Sequence, residues 1–447
     1  MKSYQIAAET ITALVTATVA GLALALPIDF GWTSQTSALQ LDLLAYSLPR
    51  AVAAGVIIAM IVAVLITTLA STVAAWGTTL GGLLVLLINH LFGHAADPAS
   101  SLSTMNFIDS FAGGVILGAL GAAVLHHKLS AYAWTLGVLI SLLLGSVNPL
   151  PHVGGGTLDE TLPDHWQATD MPPLWMIEVS LVLVVAGLLW NRNRPPADRP
   201  SIELPMAPIL AGVVLVLVTL ASAEWLARHG DSLAGIVLAV TSAVVTAFIA
   251  AMLLPGRDGE LVLTTVAVSS VGAATLAVAL PAWAIPVSVA IAAVGMWYGS
   301  KRHAPVACLA LLIVLDLVTA FTSDTSRAWI IVGSTAVLAW LYGFGLTAAR
   351  TRYVPSRVLG SMVVFVPSAV LGMRDYVARG HYALQTSNHS VVCTVATEAT
   401  SSPAWTALLV TAGCMGGILV LRRNRPLQDP AESADSGESP RGEGLSG

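Results

Sequence analysis

The stretch LVTATVAGLALALPIDFGW, Leu14 to Trp32, decides how the chain is read. It has the length and apolarity of a membrane-crossing helix, yet Ala23-Leu24-Ala25 has the small-residue form of a signal-peptide cleavage site. It is therefore a removed leader, a lone anchor, or the first of many spans. The remaining sequence chooses among these. Of 447 residues, 56% are hydrophobic and only 10% charged, and the mean hydropathy is +0.80. Such a composition excludes a soluble domain and predicts an integral membrane protein.

Apolar stretches bounded by polar or Gly/Pro-rich breaks fall near residues 6–27, 40–66, 70–93, 107–126, 131–148, 173–190, 205–227, 232–254, 260–281, 284–299, 305–322, 328–348, 358–373 and 404–421. Residues 51–92 carry no charge, so only Ser71–Thr72 and Gly77–Thr79 mark a break between the second and third, and thirteen or fifteen spans stay open beside fourteen. With the N-terminus inside, alternate loops collect fifteen of the twenty basic residues on the inner side. Only Arg50, Arg228, Arg327, Arg374 and Arg379 fall outside. This split predicts cytoplasmic termini. Removing the first helix would break the alternation, so Leu14–Trp32 reads as a first span rather than a leader.

The two longest loops, 148–173 and 374–403, are polar and fall on the outer side, and the Pro/Gly/Ser/Glu-rich tail 426–447 predicts disorder. Trp175, Trp225, Trp297 and Trp329 sit at span ends, as an interfacial aromatic belt requires. Three lysines beside seventeen arginines suit a GC-rich bacterial genome, which places the chain in a bacterial plasma membrane.

LLWNRNRPPADRP, 188–200, and LVLRRNRPLQDP, 419–430, resemble each other, and the helix pairs before them, 119–147 and 343–372, share a layout of Gly/Ala-rich helix, basic turn and Gly-ended helix. An offset of roughly 225–231 residues divides the chain into six plus two plus six spans. The divisions are 1–200, an N-terminal six-helix bundle; 201–258, two central helices; 259–425, a C-terminal six-helix bundle; and the tail 426–447. Two repeats of six enclosing a cavity is one plan of a membrane transporter.

The residues ALPIDFGWTSQTSALQLDLLAYSLPRAVAAG, Ala25–Gly55, resemble the start of the fourteen-span drug:proton antiporter branch of the major facilitator superfamily. The carrying features are Ala25-Leu26-Pro27, Gln40 and Ala45-Tyr46-Ser47-Leu48, together with two extra central helices and a long loop before the last span. The resemblance implies an all-α polytopic fold of about fourteen transmembrane helices and a transporter working by alternating access. Departures are specific. Thr18 stands where the family carries an acid, STVAAWGTT (71–79) replaces the charged inter-span signature, and residues 101–127 hold no Arg. The Gly-Pro kink ending the fifth span is reduced to Gly145 and Pro149 in GSVNPLPHVGGG. A remnant of the inter-span signature, GSKRHAP, survives at Gly299, Lys301 and Arg302.

Ionisable groups within spans are costly and serve a pathway, a pair or a proton relay. The candidates are Asp42, Arg50, Asp109, Glu178 and Asp316, with Asp316 eleven residues into PVACLALLIVLDLVTAF. Asp42 and Arg50, eight residues apart, share a helix face. Glu9 and Glu224 lie near span ends and read as interfacial. His126-His127-Lys128 reads as a basic anchor, because adjacent histidines diverge on a helix. Cys308, Cys393 and Cys414 form no framework, and no cofactor, metal site or nucleic-acid surface is expected. Expected partners are the bilayer and a small molecule, with protons as a candidate coupling ion. The sequence reads as an exporter of an amphipathic or lipid-like solute rather than an enzyme. Two alternatives are a glycan ligase or polymerase using Arg374, Arg379, His381, His389 and Glu398, and a facilitator-fold partner protein without transport.

Overall fold

The computed structural model describes residues 3–25, 38–95, 102–145, 172–192, 206–229, 233–275, 283–322, 328–366, 383–387, 390–394 and 402–426. Fourteen helices are described: α1 Ser3–Ala25, α2 Ala38–Leu69, α3 Thr72–Ala95, α4 Leu102–Val124, α5 Lys128–Gly145, α6 Leu174–Asn191, α7 Met206–His229, α8 Leu233–Leu253, α9 Gly259–Thr275, α10 Ala284–Lys301, α11 Pro305–Thr322, α12 Ala328–Ala348, α13 Val354–Met362 and α14 Ser402–Asn424. Each falls on an apolar stretch marked in the sequence. Seven of them are long and apolar enough to cross a membrane, and five others contain shorter apolar segments. Large side chains such as Phe92, Val182, Leu238, Val294, Phe321 and Leu419 are exposed on the bundle's outside. An apolar exterior around an apolar core suits lipid as solvent, so the chain is a multi-pass membrane protein.

The all-helix expectation needs one addition. An antiparallel hairpin, β1 Ala383–Ser387 and β2 Ser390–Thr394, lies in the long segment before α14, pairing Ala383 with Thr394 and Ser387 with Ser390. Its sequence, ALQTS and SVVCT around Asn388-His389, has the β-branched content and short polar connection of a hairpin.

The charge-free run 51–92 breaks at Ala70, which takes a left-handed φ of +49°. Ser71 then caps α3, its Oγ accepting the Ala74 N–H at 3.2 Å. Thus the break expected at Ser71–Thr72 is where α2 and α3 separate. At α10 the helix continues through Gly299 to Lys301, two residues beyond the apolar stretch.

In the first part of the chain α1 packs on α4, α5 and α6, α2 on α4, and α3 on α4 and α6. In the last part α9 packs on α12, α13 and α14, α10 on α12, and α11 on α12 and α14. Glycine sets the closest approaches. A Cβ at Gly114 or Gly118 of α4 would overlap the carbonyl of Gly55 or Ala59 on α2, and one at Gly343 of α12 would overlap the Ala292 carbonyl on α10. Backbone contact at small residues is a main source of cohesion where lipid removes the hydrophobic drive. The two parts meet where α2 packs on α13 and α5 on α10, while α7 and α8 pack on each other and on α2, α9 and α14.

Candidate functional site

Two buried carboxyls lie on different helices. Asp109 of α4 is fully buried, and its Oδ1 accepts a hydrogen bond of 2.8 Å from Asn89 Nδ2 of α3. The same amide also donates to the Met105 carbonyl at 3.2 Å. One turn before Asp109, on the same face, Asn106 is 1% exposed, and neither of its amide atoms has a partner. Asp109 Oδ2 is likewise unpartnered. Ser110 beside it donates to the Leu24 carbonyl at 3.1 Å, tying α4 to the end of α1. A carboxyl and two carboxamides thus share an apolar setting with hydrogen-bonding capacity to spare. Ionisable groups within a membrane span are costly and commonly serve a pathway, a pair or a proton relay.

Asp316 of α11 is also fully buried. Thr411 Oγ1 of α14 lies 3.3 Å from Asp316 Oδ2 and 2.8 Å from the Ala407 carbonyl. A hydroxyl has one proton to give, and the shorter bond claims it. The contact with Asp316 Oδ2, to which the same hydroxyl can donate, is the weaker of the two. Asp316 Oδ1 has no partner.

At the other end of the bundle, the turns flanking α4–α5, α8–α9 and α12–α13 meet the C-terminus of α14; this is the basic end. Asp258, in the α8–α9 turn, accepts N–H bonds of 3.0 Å from both Arg352 and Tyr353, capping the start of α13. Burial pushes its carboxyl above the usual value of 3.8, against the opposing pull of those N–H bonds. Arg357, a turn into α13, donates to the Leu125 carbonyl at the end of α4 at 3.0 Å. This bond joins the α1–α6 part to the α9–α14 part. Glu260 and Arg422 form a bidentate pair at 2.9 and 3.0 Å, and Arg425 donates to the Met252, Leu254 and Gly256 carbonyls that α8 leaves unsatisfied.

The other sequence candidates are dispersed. Arg50 is exposed and pairs with Glu224 of α7 at 3.3 Å. The Asp42 side chain lies outside the described residues, so its relation to Arg50 does too. Glu178 is exposed on α6, on the outside of the bundle. Gly299 packs where a Cβ would overlap Thr347 of α12, while Lys301 and Arg302 are exposed over the rings of Trp297 and Tyr298. Arg374, Arg379, His381, His389 and Glu398 lie outside the described residues.

Sequence reasoning that weighed only ionisable residues missed Asn89, Asn106 and Thr411, the uncharged partners of the buried acids. An amide deep in an apolar run is itself a costly group and was the available signal. It also missed Asp258, Glu260 and Arg357, which look like ordinary loop charges until helices bring them together. Among the described residues no group of three or more metal-ligating side chains occurs.

No protein-family model and no curated protein matches the chain. Among solved structures, it is similar to a bacterial homologue of the human drug peptide transporters PepT1 and PepT2, with TM-score 0.42 and 15% identity over 96% of this chain and 99% of that one. It is also similar to tetrameric PepTSo2, with TM-score 0.40 and 15% identity over 94% and 96%. Both are low likenesses of layout.

Proposed function

We propose that this protein is a secondary transporter of the facilitator type, built as six plus two plus six helices and exporting an amphipathic or lipid-like solute by alternating access. The observation that carries the reading is the recurrence of packing partners. The contacts of α1 with α4, α5 and α6, of α2 with α4, and of α3 with α6 return eight helices later as α9 with α12, α13 and α14, α10 with α12, and α11 with α14. The junctions of α2 with α13 and α5 with α10 exchange under the same offset, as do those of α4 with α13 and α5 with α12. Two such halves around a pseudo-two-fold axis are the architecture on which rocking transporters run.

In this reading the basic end faces the cytoplasm, and the Arg357–Leu125 bond holds the halves together there. Asp109 and Asp316 are the proton carriers, one in each half, in place of the acid that Thr18 lacks. An apolar interior with few fixed charges fits an amphipathic solute better than a sugar or a peptide. The test is flux into everted membrane vesicles, driven by an imposed pH gradient and read with a panel of lipophilic cations and a fluorescent lysophospholipid. Gradient-dependent uptake of at least one probe is expected, falling tenfold or more in Asp316→Asn. No uptake of any probe under any gradient, from a folded and inserted protein, overturns the proposal.

A further inference from the structure

At the basic end four half-buried cations are engaged: Arg422 on Glu260, Arg257 and Arg425 on carbonyls, and Arg357 on Leu125. A second set is not. Lys301, Arg302 and Arg350 are exposed, and among the described residues none of them makes an ion pair. Lys301 Nζ sits 3.8 Å over the Trp297 ring, and the Arg302 guanidinium lies 5.9 Å from the Tyr298 ring centre. Such stacking holds a cation at the membrane interface while leaving its donors free. Arg350 follows the end of α12, which is fixed beside the end of α10 by Thr347 Oγ1 donating to the Met296 carbonyl at 3.0 Å.

An apolar track leads away from these cations. Tyr298 stacks on Trp340 of α12 with ring centres 5.5 Å apart. Trp340 in turn walls an open groove of about 570 Å³, lined otherwise by Pro286, Val287, Ala290, Ile291 and Val294 of α10. At 1.5 Å per residue the groove runs from about 10 to about 22 Å along α10 from Lys301. Half a bilayer's hydrocarbon core is about 15 Å deep. A chain whose headgroup lies at Lys301 would therefore cross Tyr298 and Trp340 and end in the groove.

We infer that the inner ends of α10 and α12 bind one diacyl anionic phospholipid, its phosphate held by Lys301, Arg302 and Arg350 and one acyl chain laid over Trp340 into the groove. The charge of the cluster selects the headgroup, since exposed cations at this level attract anionic lipid. The groove selects a lipid over a free phosphate. This inference rests on the membrane-spanning reading and not on transport, so it stands or falls independently of any flux.

Native mass spectrometry of the full chain released from nanodiscs holding equal dioleoylphosphatidylglycerol and dioleoylphosphatidylcholine tests it. One phosphatidylglycerol should be retained at least fivefold over phosphatidylcholine. The excess should vanish in Lys301→Gln/Arg302→Gln. It should also fall at least threefold in Ala290→Trp, which fills the exposed groove and leaves every cation in place. Far-ultraviolet circular dichroism and a single size-exclusion peak establish that each variant is folded. Equal retention of the two lipids by the wild type, or an excess that survives the double substitution, overturns the site. An excess unchanged in Ala290→Trp, or erased by millimolar glycerol phosphate, overturns the lipid in favour of a phosphate site alone.

Discussion

Asn89 and Asp109 illustrate how a single uncharged side chain settles the setting of an acid. The Asn89 amide is the only hydrogen-bond donor to the Asp109 side chain among the described residues, and nothing else relieves its burial. Asn89→Ala leaves both Asp109 carboxyl oxygens without a donor among the described residues. It should lower stability by about 1–3 kcal/mol, read from unfolding in mixed micelles. Asp109→Asn keeps an acceptor for that amide, so it should unfold within about 1 kcal/mol of the wild type while abolishing pH-driven flux. At Ala70 a left-handed backbone carries a Cβ that glycine would not. Ala70→Gly should therefore stabilise the α2–α3 turn by about 0.5–1 kcal/mol in the same assay.

Among the elements, α4 and α12 do the same work in the two parts of the chain. Gly118 lets α4 lie against the α2 backbone, and Gly343 lets α12 lie against α10. Gly118→Leu and Gly343→Leu should each cost about 2–3 kcal/mol, because the obstruction is backbone that cannot turn aside. If one variant unfolds far more easily than the other, the equivalence of the helix pairs fails. The start of α13 depends on Asp258, whose buried carboxyl has a raised pKa. The folded state therefore binds the proton more tightly than the unfolded state. Its contribution to stability falls as pH rises from about 3.8 through the folded pKa, and is level above it. The stability of the wild type relative to Asp258→Asn should decline over that window and stay flat on the alkaline side, as thermal melts at a series of pH values would record.

For the whole molecule, the cohesion of the two parts is distributed unequally. At the basic end they are joined by the Arg357–Leu125 bond, and Val358 and Met362 of α13, with Phe365 just after it, join the apolar cluster formed mainly by α1–α6. Glu260–Arg422 clasps α9 to α14 within the last part, and Arg425 ties the end of α14 to the carbonyls at the end of α8. Alternating access in the proposed transporter would therefore break the Arg357–Leu125 hydrogen bond and the α2–α13 and α5–α10 packing, while leaving these clasps intact.

What the sequence by itself determined was the membrane as solvent, the number of apolar segments and where most of them break. These follow from composition and from local chemistry such as the Ser71 cap and the helix-long apolar runs. It also pointed to Asp109 and Asp316, since an acid within an apolar run is conspicuous whatever surrounds it. Only the tertiary structure decided the partners. Arg50 faces Glu224 from 174 residues away, Asp316 faces Thr411 across 95, and Arg357 finds a carbonyl 232 residues distant. Helix periodicity fixes which residues share a face of one helix, but not which other helix that face meets. In lipid that choice is made by close backbone packing at glycines, and the polar pairs follow from it.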